Sequence, residues 1–308
     1  MTGNFQKWKK IIIFLVLFCL LLIAGSLPFY SLRSMGYQFV SIGQKDRMIK
    51  KEKDNSLDAL FFGDSQCLTA FAPVKLFGEY GITSYNCGTE GEWIGDTYIL
   101  MQKALEKQNP SMIVLETSAL YSKPSKIKYY LSQRLPIFHY HDFYQSPKKK
   151  IGDEAAKGSN MITRVIPYQG DDSKMSEEEP ADEISSVNID YLNKIYQLCQ
   201  EKNIILMLAT ALSMIDWTNG KHKAVEEWSN ANNVTYVDYN ESDNLKQINF
   251  DWSFDTRDGG VHVNVFGAKK LTLDIGKRML ELYPFVDHRD DENYADWEYL
   301  YTKDDYYQ

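Results

Sequence analysis

Cysteine is scarce in this 308-residue chain, which has four cysteines without regular spacing. One lies in an apolar N-terminal run and three are scattered, at positions Cys19, Cys67, Cys87 and Cys199. No CxxC pair is present, so the sequence indicates neither a zinc site nor a disulfide framework. Buried free thiols are the favoured interpretation, and a bridge between Cys67 and Cys87 is the alternative.

An excess of positive charge is also lacking. Asp and Glu number 42 against 34 Lys and Arg, which gives a formal net charge of -8. Such a chain has no electrostatic reason to bind phosphate backbones, and we predict no nucleic-acid partner. The apolar and charged fractions, 44% and 25%, are ordinary for a globular protein, and the length suits one sizeable domain with attachments.

Apolar runs of membrane-spanning length are confined to the N-terminus. The segment KIIIFLVLFCLLLIAGSLPFY, residues 10–30, has about the twenty residues needed to cross a bilayer. Lysines precede it at positions 7, 9 and 10, so the positive-inside rule predicts a single-pass plasma-membrane protein with a cytoplasmic N-terminus and an extracytoplasmic domain. Small residues at 24–26 leave a cleaved signal peptide as the alternative. An anchor over residues 1–32 is favoured, because the run exceeds a usual signal core.

The rest of the chain divides by composition into three parts. Residues 33–56 are polar and lysine-rich and predict a short stalk, residues 57–283 predict the main domain, and residues 284–308 form an acidic, aromatic tail. Within the main domain, residues 119–185 break the pattern and predict an insertion.

Short, β-rich apolar runs alternate in the main domain with amphipathic stretches of helical length. The strand candidates are 57–62, 82–87, 111–117, 204–210 and 234–239. The helix candidates are 72–80, 95–108, 186–202, 219–232 and 265–282. Continuous apolar strands with helical crossovers predict an α/β fold in which helices cover both faces of a parallel sheet.

Three remote segments are expected to meet at the carboxyl ends of the strands, where open parallel sheets bind ligands. They are FFGDSQ (61–66), NCGTEG (86–91) and DTRDGGVHVN (255–264). In the first, a Gly-Asp turn would present Ser65 at the start of a helix, and its hydroxyl needs a neighbouring base to act as a nucleophile. In the third, His262 is the candidate base, and an acidic residue a few positions earlier would orient its imidazole.

Donors for an oxyanion are expected in the second segment. Its Gly88 and Gly91 let the backbone approach a bound acyl group, and their amides, with that of Ser65, would stabilise a tetrahedral oxyanion. Asp64 and Asn86 lie beside these groups in the sequence and are candidate substrate-binding residues.

His139 and His141 lie two residues apart and could both point at a metal from one strand. No matching carboxylate or cysteine spacing accompanies them, so we predict a structural or substrate-binding role for the pair, no metal and no cofactor. The other histidines, His222 and His288, are predicted to lie on solvated faces.

Five stretches of the sequence together resemble a known family: FFGDSQCLTAF, SYNCGTEG, QNPSMIVLETSALY, LPIFHYHDFY and DTRDGGVHVNVFGAKKLT. The early GDS and the late Asp/His segment before the last helix are similar to the SGNH/GDSL hydrolases. The wider pattern resembles their membrane-anchored, DltD-like branch in Gram-positive bacteria. The resemblance implies a three-layer α/β/α, flavodoxin-like fold and a Ser-His-Asp triad that performs ester chemistry on acyl groups of envelope polymers.

Two departures from the family pattern affect the predicted site. The acid of most such enzymes lies three residues before the histidine, where this chain has Gly259, so Asp258 is favoured and Asp255 is the alternate. The oxyanion-hole asparagine of a GxND block is also missing, because the corresponding strand ends in VLETS (114–118). Either Thr117 or Ser118 substitutes, or the hole has fewer donors, and losing one donor costs about a hundredfold or more in rate.

These features predict a membrane-anchored, extracytoplasmic serine esterase or O-acyltransferase that acts on acyl esters of a cell-envelope polysaccharide or teichoic-acid-like polymer. Its expected partners are that polymer or an acyl donor, the lipid bilayer through the N-terminal helix, and a multi-span membrane acyltransferase. Two alternatives stay open: a non-catalytic envelope assembly or binding factor with the same fold, and a lipid-directed esterase.

Overall fold

The computed structural model of the chain describes residues 2–34, 42–122, 156–170, 175 and 178–303. These residues belong to two compact units. The first contains the N-terminal helix, and the second contains the sheet and the other helices described below. The three segments of the predicted site all belong to the second unit.

Helix α1, Thr2–Ser34, contains the N-terminal apolar run. Its segment Gln6–Leu27 has 22 residues and is long and apolar enough to cross a membrane. Large apolar side chains on it are exposed, as expected of a surface that lipid would cover. A signal sequence meets the same criteria, so the helix is a candidate membrane span and its topology stays a prediction.

A five-stranded parallel sheet forms the middle of the second unit. Its strands are β1 Ala59–Phe62, β2 Ser84–Asn86, β3 Met112–Glu116, β4 Ile205–Thr210 and β5 Thr235–Asp238. They are arranged in the order β2-β1-β3-β4-β5, which is the flavodoxin-like order. Every residue of β1, β2 and β3 is buried, because parallel strands are covered on both faces. The predicted strands and the α/β fold class are confirmed.

Helices cover both faces of the sheet. They are α2 Ile42–Ile49, α3 Ser65–Ala70, α4 Pro73–Tyr80, α5 Ile94–Ala104, α6 Ser186–Glu201, α7 Asn219–Asn232, α8 Ser242–Gln247, α9 Val265–Leu282 and α10 Ala295–Lys303. Successive strand side chains point to opposite faces. Phe62 accordingly packs in one apolar core with Leu100 of α5 and Ile195 of α6, whereas Phe61 packs in a second core with Leu271 of α9. The unit therefore has the predicted three layers.

Residues 42–49 differ from the predicted stalk, because they form α2 and pack on the domain. Ile49 joins an apolar core. Lys45 is fully buried, and its Nζ donates to the carbonyl of Asn86 at 2.8 Å and to that of Gly158. A lysine-rich composition predicts a solvated segment. Composition alone does not show that Lys45 is buried and bonded to backbone carbonyls.

Parts of the predicted insertion and tail also belong to the domain. Residues 156–170 contact the helix that begins at Ser65, because the N–H of Asn160 donates to the carbonyl of Leu68 in α3 at 2.9 Å. In the tail, Trp297 of α10 is buried against Phe77, with ring centroids 5.4 Å apart. Aromatic residues of the tail therefore complete the core beside α4.

The four cysteines are free thiols, and those at 67, 87 and 199 are buried. The interpretation without a bridge is therefore confirmed. Cys67 lies in α3, two residues after Ser65. Burial raises the pKa of the Cys67 thiol, which keeps this neighbour of the serine protonated and unreactive.

Candidate active site

The first predicted segment forms a tight turn between β1 and α3. Gly63 has a φ of 149°, and a Cβ atom there would lie 2.7 Å from the Cβ of Glu116, so the turn requires glycine. Asp64 is the N-cap of α3, where its carboxylate accepts the N–H of Gln66 at 2.8 Å. Ser65 is consequently the first residue of α3 and stands at the carboxyl end of the sheet.

A chain of hydrogen bonds joins Ser65 to His262 and Asp258. Ser65 Oγ lies 2.8 Å from Nε2 of His262, and Nδ1 of the same ring lies 2.7 Å from Oδ2 of Asp258. An imidazole held in this way can take the serine proton, while the carboxylate stabilises the charged ring. The structure thus brings together the three residues that the sequence favours for this role.

Two glycines explain the unusual spacing between acid and base. Gly259 and Gly260 have φ of 79° and 96°, in the left-handed region that favours glycine. The chain therefore turns back after Asp258, and the backbone N–H of His262 donates to Oδ1 of Asp258 at 2.7 Å. The N–H of Arg257 donates to the carbonyl of His262 at 3.1 Å and closes the same turn. One extra residue between acid and base is absorbed in this way.

The electrostatics of Asp258 suit a permanent carboxylate. Burial alone would raise the pKa of Asp258, but hydrogen bonds from the ring and backbone of His262 outweigh burial and lower the pKa below its ordinary value. The guanidinium of Arg257 acts in the same direction, with its Nε 3.7 Å from Oδ2 of Asp258. The acid is thus ionised at neutral pH, as an orienting group must be.

Asp255, the alternate acid, lies elsewhere. Its fully buried carboxylate accepts Nζ of Lys270 at 2.6 Å and the N–H of Asp251 at 2.7 Å. Both contacts hold the loop before α9 in place. Asp258 therefore contacts His262, whereas Asp255 stabilises the loop that carries the histidine.

No pattern in the sequence points to Gln66, which joins two of the three segments. Its side chain is buried in α3, and its Nε2 donates to the carbonyl of Val261 at 2.7 Å. On the other side of His262, Oδ1 of Asn264 caps α9 by accepting the N–H of Phe266 at 2.9 Å. The residues that flank the histidine are therefore fixed from both directions.

The predicted oxyanion donors are largely committed to other bonds. The amide of Ser65 stands at the N-terminus of α3, where it has no helical carbonyl to bind. The N–H of Gly88 donates to Oδ1 of Asn86 at 2.9 Å. Thr117 is fully buried, and its hydroxyl pairs with that of Thr210 at 2.5 Å. The Ser65 amide is therefore the member of the predicted set that is best placed to bind an oxyanion.

A cavity of about 220 Å³ opens beside the Ser65 hydroxyl. Its walls come from the nucleophile turn, the histidine loop and the segments after β3 and β4, and consist of Asp64, Ser65, Gln66, Ser118, Tyr121, Ser122, Asp216, Trp217, Lys221, Val261 and His262. Hydroxyl, amide and charged groups predominate, and Tyr121 and Trp217 add aromatic surface. No motif marks the residues after β3 and β4, although ligands of parallel sheets bind at these strand ends.

The remaining predicted residues are divided between the cavity and its support. Asp64 lines the cavity. Asn86 is fully buried and donates to two backbone carbonyls of the α3 region, so it supports the serine helix and does not reach the cavity. Gly91 is exposed outside the cavity wall. His139 and His141 lie outside the described residues. Among the residues described, no group of three His, Cys, Asp or Glu side chains could hold a metal ion.

The prediction of solvated faces for His222 and His288 is wrong. Nδ1 of His222 lies 2.9 Å from Oδ2 of Asp238, at the end of β5, and Nε2 of His288 lies 3.3 Å from Asp58. The same Asp238 oxygen accepts Nε1 of Trp217, a cavity residue, at 2.7 Å. The sequence around the two histidines does not reveal these partners, because Asp238 in β5 and Asp58 just before β1 are remote along the chain.

The pair of His222 and Asp238 predicts a pH-dependent contribution to stability. Burial lowers the pKa of His222, but the hydrogen bond with Asp238 and the nearby acidic residues outweigh it, and the net pKa is raised. A raised histidine pKa stabilises the folded state at low pH, and this stabilisation is lost as pH rises through the folded pKa. We expect the midpoint of urea unfolding of His222→Gln to fall below that of wild type most strongly near pH 6, with a smaller difference near pH 9. A pH-independent difference would contradict this assignment.

Comparison with known proteins finds remote structural similarity. No family model matches the chain, and no curated protein matches its sequence. A GDSL-like lipase from Bacteroides thetaiotaomicron is 9% identical, with 79% of this chain and 99% of that chain covered and a TM-score of 0.44. The acetyl xylan esterase AlAXEase is 14% identical, with 73% of this chain and 98% of that chain covered and a TM-score of 0.38. Similarity of this degree says nothing about the reaction, which has to be inferred from the residues of the site.

Proposed function

We propose that this chain is a serine esterase or O-acyltransferase that acts through Ser65. The hydrogen bond of 2.8 Å between Ser65 Oγ and Nε2 of His262 carries the proposal, because a serine hydroxyl is a weak nucleophile without an adjacent base. As Oγ attacks the ester carbonyl, His262 takes its proton and Asp258 stabilises the charged ring. The tetrahedral oxyanion accepts a hydrogen bond from the backbone N–H of Ser65. Return of the proton to the leaving oxygen releases an alcohol and leaves an acyl-enzyme.

The second half of the reaction reverses these roles. His262 accepts a proton from an incoming hydroxyl, whose oxygen attacks the acyl carbonyl, and then returns the proton to Ser65. Water as the acceptor gives hydrolysis, and a sugar or polyol hydroxyl gives transfer. The same residues serve both outcomes.

The cavity favours a short, polar acyl ester. Ser118, Ser122, Asp216 and Lys221 place hydroxyls and charges of both signs on its walls. A long hydrocarbon chain would remove the charged ends of Asp216 and Lys221 from water, which weighs against a lipid-directed esterase. We propose an acyl ester of a cell-envelope polysaccharide or teichoic-acid-like polymer as the substrate. In this proposal α1 anchors the protein at the outer face of the plasma membrane, and a multi-span acyltransferase is its partner when acyl groups are transferred.

A non-catalytic binding factor is the second candidate, and the oxyanion donors favour it. The N–H of Gly88 and the hydroxyl of Thr117 are both committed to other partners. Removing one oxyanion donor costs about a hundredfold or more in rate, so the loss of two would leave a weak enzyme. On this hypothesis the cavity would bind an envelope polymer without cleaving it.

Covalent labelling with a serine-directed fluorophosphonate separates the two candidates. We expect the probe to modify wild type at Ser65, because His262 activates this hydroxyl. Ser65→Ala should abolish the labelling, while the control Ser122→Ala, which removes another hydroxyl of the same cavity, should retain it. Peptide mass spectrometry of the labelled protein identifies the modified residue. An unlabelled wild type, or labelling that persists in Ser65→Ala, contradicts the proposed enzyme.

A further inference from the structure

Two carboxyl groups meet beside the Ser65 turn, and the proposed reaction uses neither. Asp64 follows β1, and Glu116 ends β3, which pairs directly with β1. A Cβ atom on Gly63, the residue before Asp64, would lie 2.7 Å from the Cβ of Glu116, so Glu116 packs directly against the turn, and the two carboxyl groups interact electrostatically. Glu116 is fully buried, whereas Asp64 also touches the cavity. The pair therefore connects the nucleophile turn with the interior of the sheet.

The other bonds of the pair are all donated by neutral groups. Oδ1 of Asp64 accepts the N–H of Gln66 at 2.8 Å. Oε1 of Glu116 accepts the hydroxyl of Ser118 at 2.8 Å and the N–H of Ala211 at 3.3 Å, and Oε2 accepts the N–H of Ser118 at 3.1 Å. Within the part of the chain that the structure describes, neither carboxyl has a lysine or arginine as ion-pair partner. Their mutual contact therefore needs another source of stabilisation.

That source is a proton, because two carboxylates have acceptors and no donor. Burial raises the pKa of Asp64 to about 6. Burial and the neighbouring Asp64 together raise the pKa of Glu116 well above its ordinary value. Both directions agree with the close packing of Glu116 against the Gly63 turn. In such a pair Glu116 would hold the proton and donate it in a hydrogen bond to the Asp64 carboxylate.

We propose that Asp64 and Glu116 share one proton, and that this pair is a positioning device that holds the Ser65 turn against the Ser118 wall of the cavity. Asp64 fixes the first turn of α3 through its bond with Gln66, while Glu116 orients Ser118 through two bonds. Both walls of the reactive centre thus depend on the same proton. When it leaves, two neighbouring carboxylates repel each other and the turn loses its support.

The titratable groups that face the pair come from four elements. They are Cys67 in α3, Glu92 before α5, Asp216 after β4 and His262 before α9. Asp216 and Glu92 favour retention of the shared proton when they are ionised, whereas a charged His262 favours its release. Burial raises the pKa of Cys67, so this thiol stays neutral. Proton uptake by His262 during the reaction is therefore coupled to the charge of the pair.

The pH dependence of thermal stability tests the shared proton without any assay of activity. Folded wild type keeps a proton on Glu116 that the unfolded chain has already released, so its stability falls as pH rises above the ordinary pKa of glutamate toward the raised pKa of the folded protein. Glu116→Gln keeps a permanent donor toward Asp64 and has no proton to lose. We expect its Tm relative to wild type to rise by about 3 °C per pH unit across this range. A Tm difference that does not change with pH overturns the proposal.

Glu116→Leu is the matched variant, because leucine fills a similar volume without a donor or an acceptor. We expect it to lower Tm at every pH by about 6 °C or more, since Ser118 and the N–H of Ala211 lose their acceptor. If Glu116→Gln is destabilised as strongly as Glu116→Leu at every pH, a permanent donor toward Asp64 does not replace the carboxyl group, and the shared proton is refuted. Should Glu116→Leu fail to fold, the comparison of Glu116→Gln with wild type still decides.

A double-mutant cycle with Asp64→Asn tests whether the proton belongs to both residues. Glu116→Gln removes the shared proton, and Asp64→Asn removes one cause of its retention on Glu116, so the double variant should show the pH slope of Glu116→Gln alone. Two independent carboxyls would instead give slopes that add. Additive slopes therefore refute sharing, whereas coupled slopes support it.

The positioning role rests on the proposed function and is tested by the rate at which a fluorophosphonate labels Ser65. At neutral pH we expect Glu116→Gln to react within about threefold of wild type and Glu116→Leu to react about tenfold more slowly or worse, because a displaced serine meets its base poorly. Glu116→Gln should also stay reactive to higher pH than wild type. Equal rates in all three proteins overturn the positioning role. If wild type is not labelled at all, the proposed function fails, and the Tm measurements still decide the shared proton.

Discussion

Replacing Ser65 with alanine is expected to lower kcat for a soluble acyl ester by about 10⁴-fold or more, with little change in KM. The substitution removes the atom that forms the acyl-enzyme and the 2.8 Å hydrogen bond to His262. The cavity walls keep their other groups, so binding of the ground state persists. Steady-state hydrolysis of a short-chain chromogenic ester by the purified protein measures both constants.

Non-additivity is the control for this result. His262→Ala should cost about as much as Ser65→Ala, because a serine without its base and a base without its serine are equally unable to form the acyl-enzyme. The double variant should lose little more than either single variant. Losses that multiply in the double variant, or a Ser65→Ala protein with wild-type turnover, would show that the two side chains do not act as a unit.

Asp258→Asn and Asp255→Asn should separate catalysis from stability. Asn at 258 cannot stabilise a charged His262 or hold its tautomer, so we expect kcat to fall by about 10⁴-fold, with little change in the free energy of unfolding. Asn at 255 leaves Lys270 without its buried partner at 2.6 Å. We expect that variant to lose about 2 kcal/mol of unfolding free energy, because a hydrogen bond to a charged group is removed, and to keep near-normal kcat while it is folded.

Urea unfolding and ester hydrolysis on the same samples distinguish these outcomes. A large kcat loss in Asp255→Asn at temperatures where the protein is fully folded would contradict the division of roles. So would an Asp258→Asn protein with full activity, because the 2.7 Å contact with Nδ1 of His262 would then be dispensable.

The positions of the strands and their parallel arrangement could be predicted from the sequence because fully buried parallel strands are continuous apolar runs. The runs ALFF in β1 and MIVLE in β3 have no alternating pattern, and both are buried throughout. The positions of Ser65 and His262 could also be predicted. Both adjoin helices whose N-terminal residues, Asp64 and Asn264, are good N-caps.

The identity of the acid could not be settled by spacing, because the decisive feature is a backbone conformation. Gly259 and Gly260 are visible in the sequence, but their positive φ angles become meaningful once the chain is seen to turn back on Asp258. Asp255 is equally acidic and close in sequence. Its pairing with Lys270 depends on where α9 packs.

Supporting residues were missed for a related reason. Glu116, Gln66 and Lys45 each make contacts with residues far away in the chain, and each belongs to a residue type that is usually solvated. Hydrophobic periodicity and composition describe the average burial of a segment. A single buried polar side chain is invisible at that level until its partner is located.

Asp258 grips both the ring and the main chain of His262, through bonds of 2.7 Å each. If residues 255–264 moved outward, Asp258 and His262 would therefore move together and stay hydrogen-bonded to each other. The bonds broken would include those to the serine hydroxyl, between Gln66 and Val261, and between the loop and Ile166. In such an open conformation Asp258 and His262 stay hydrogen-bonded to each other, so the imidazole keeps its orientation and tautomer. Return to the closed conformation then requires only that the loop bind again beside Ser65.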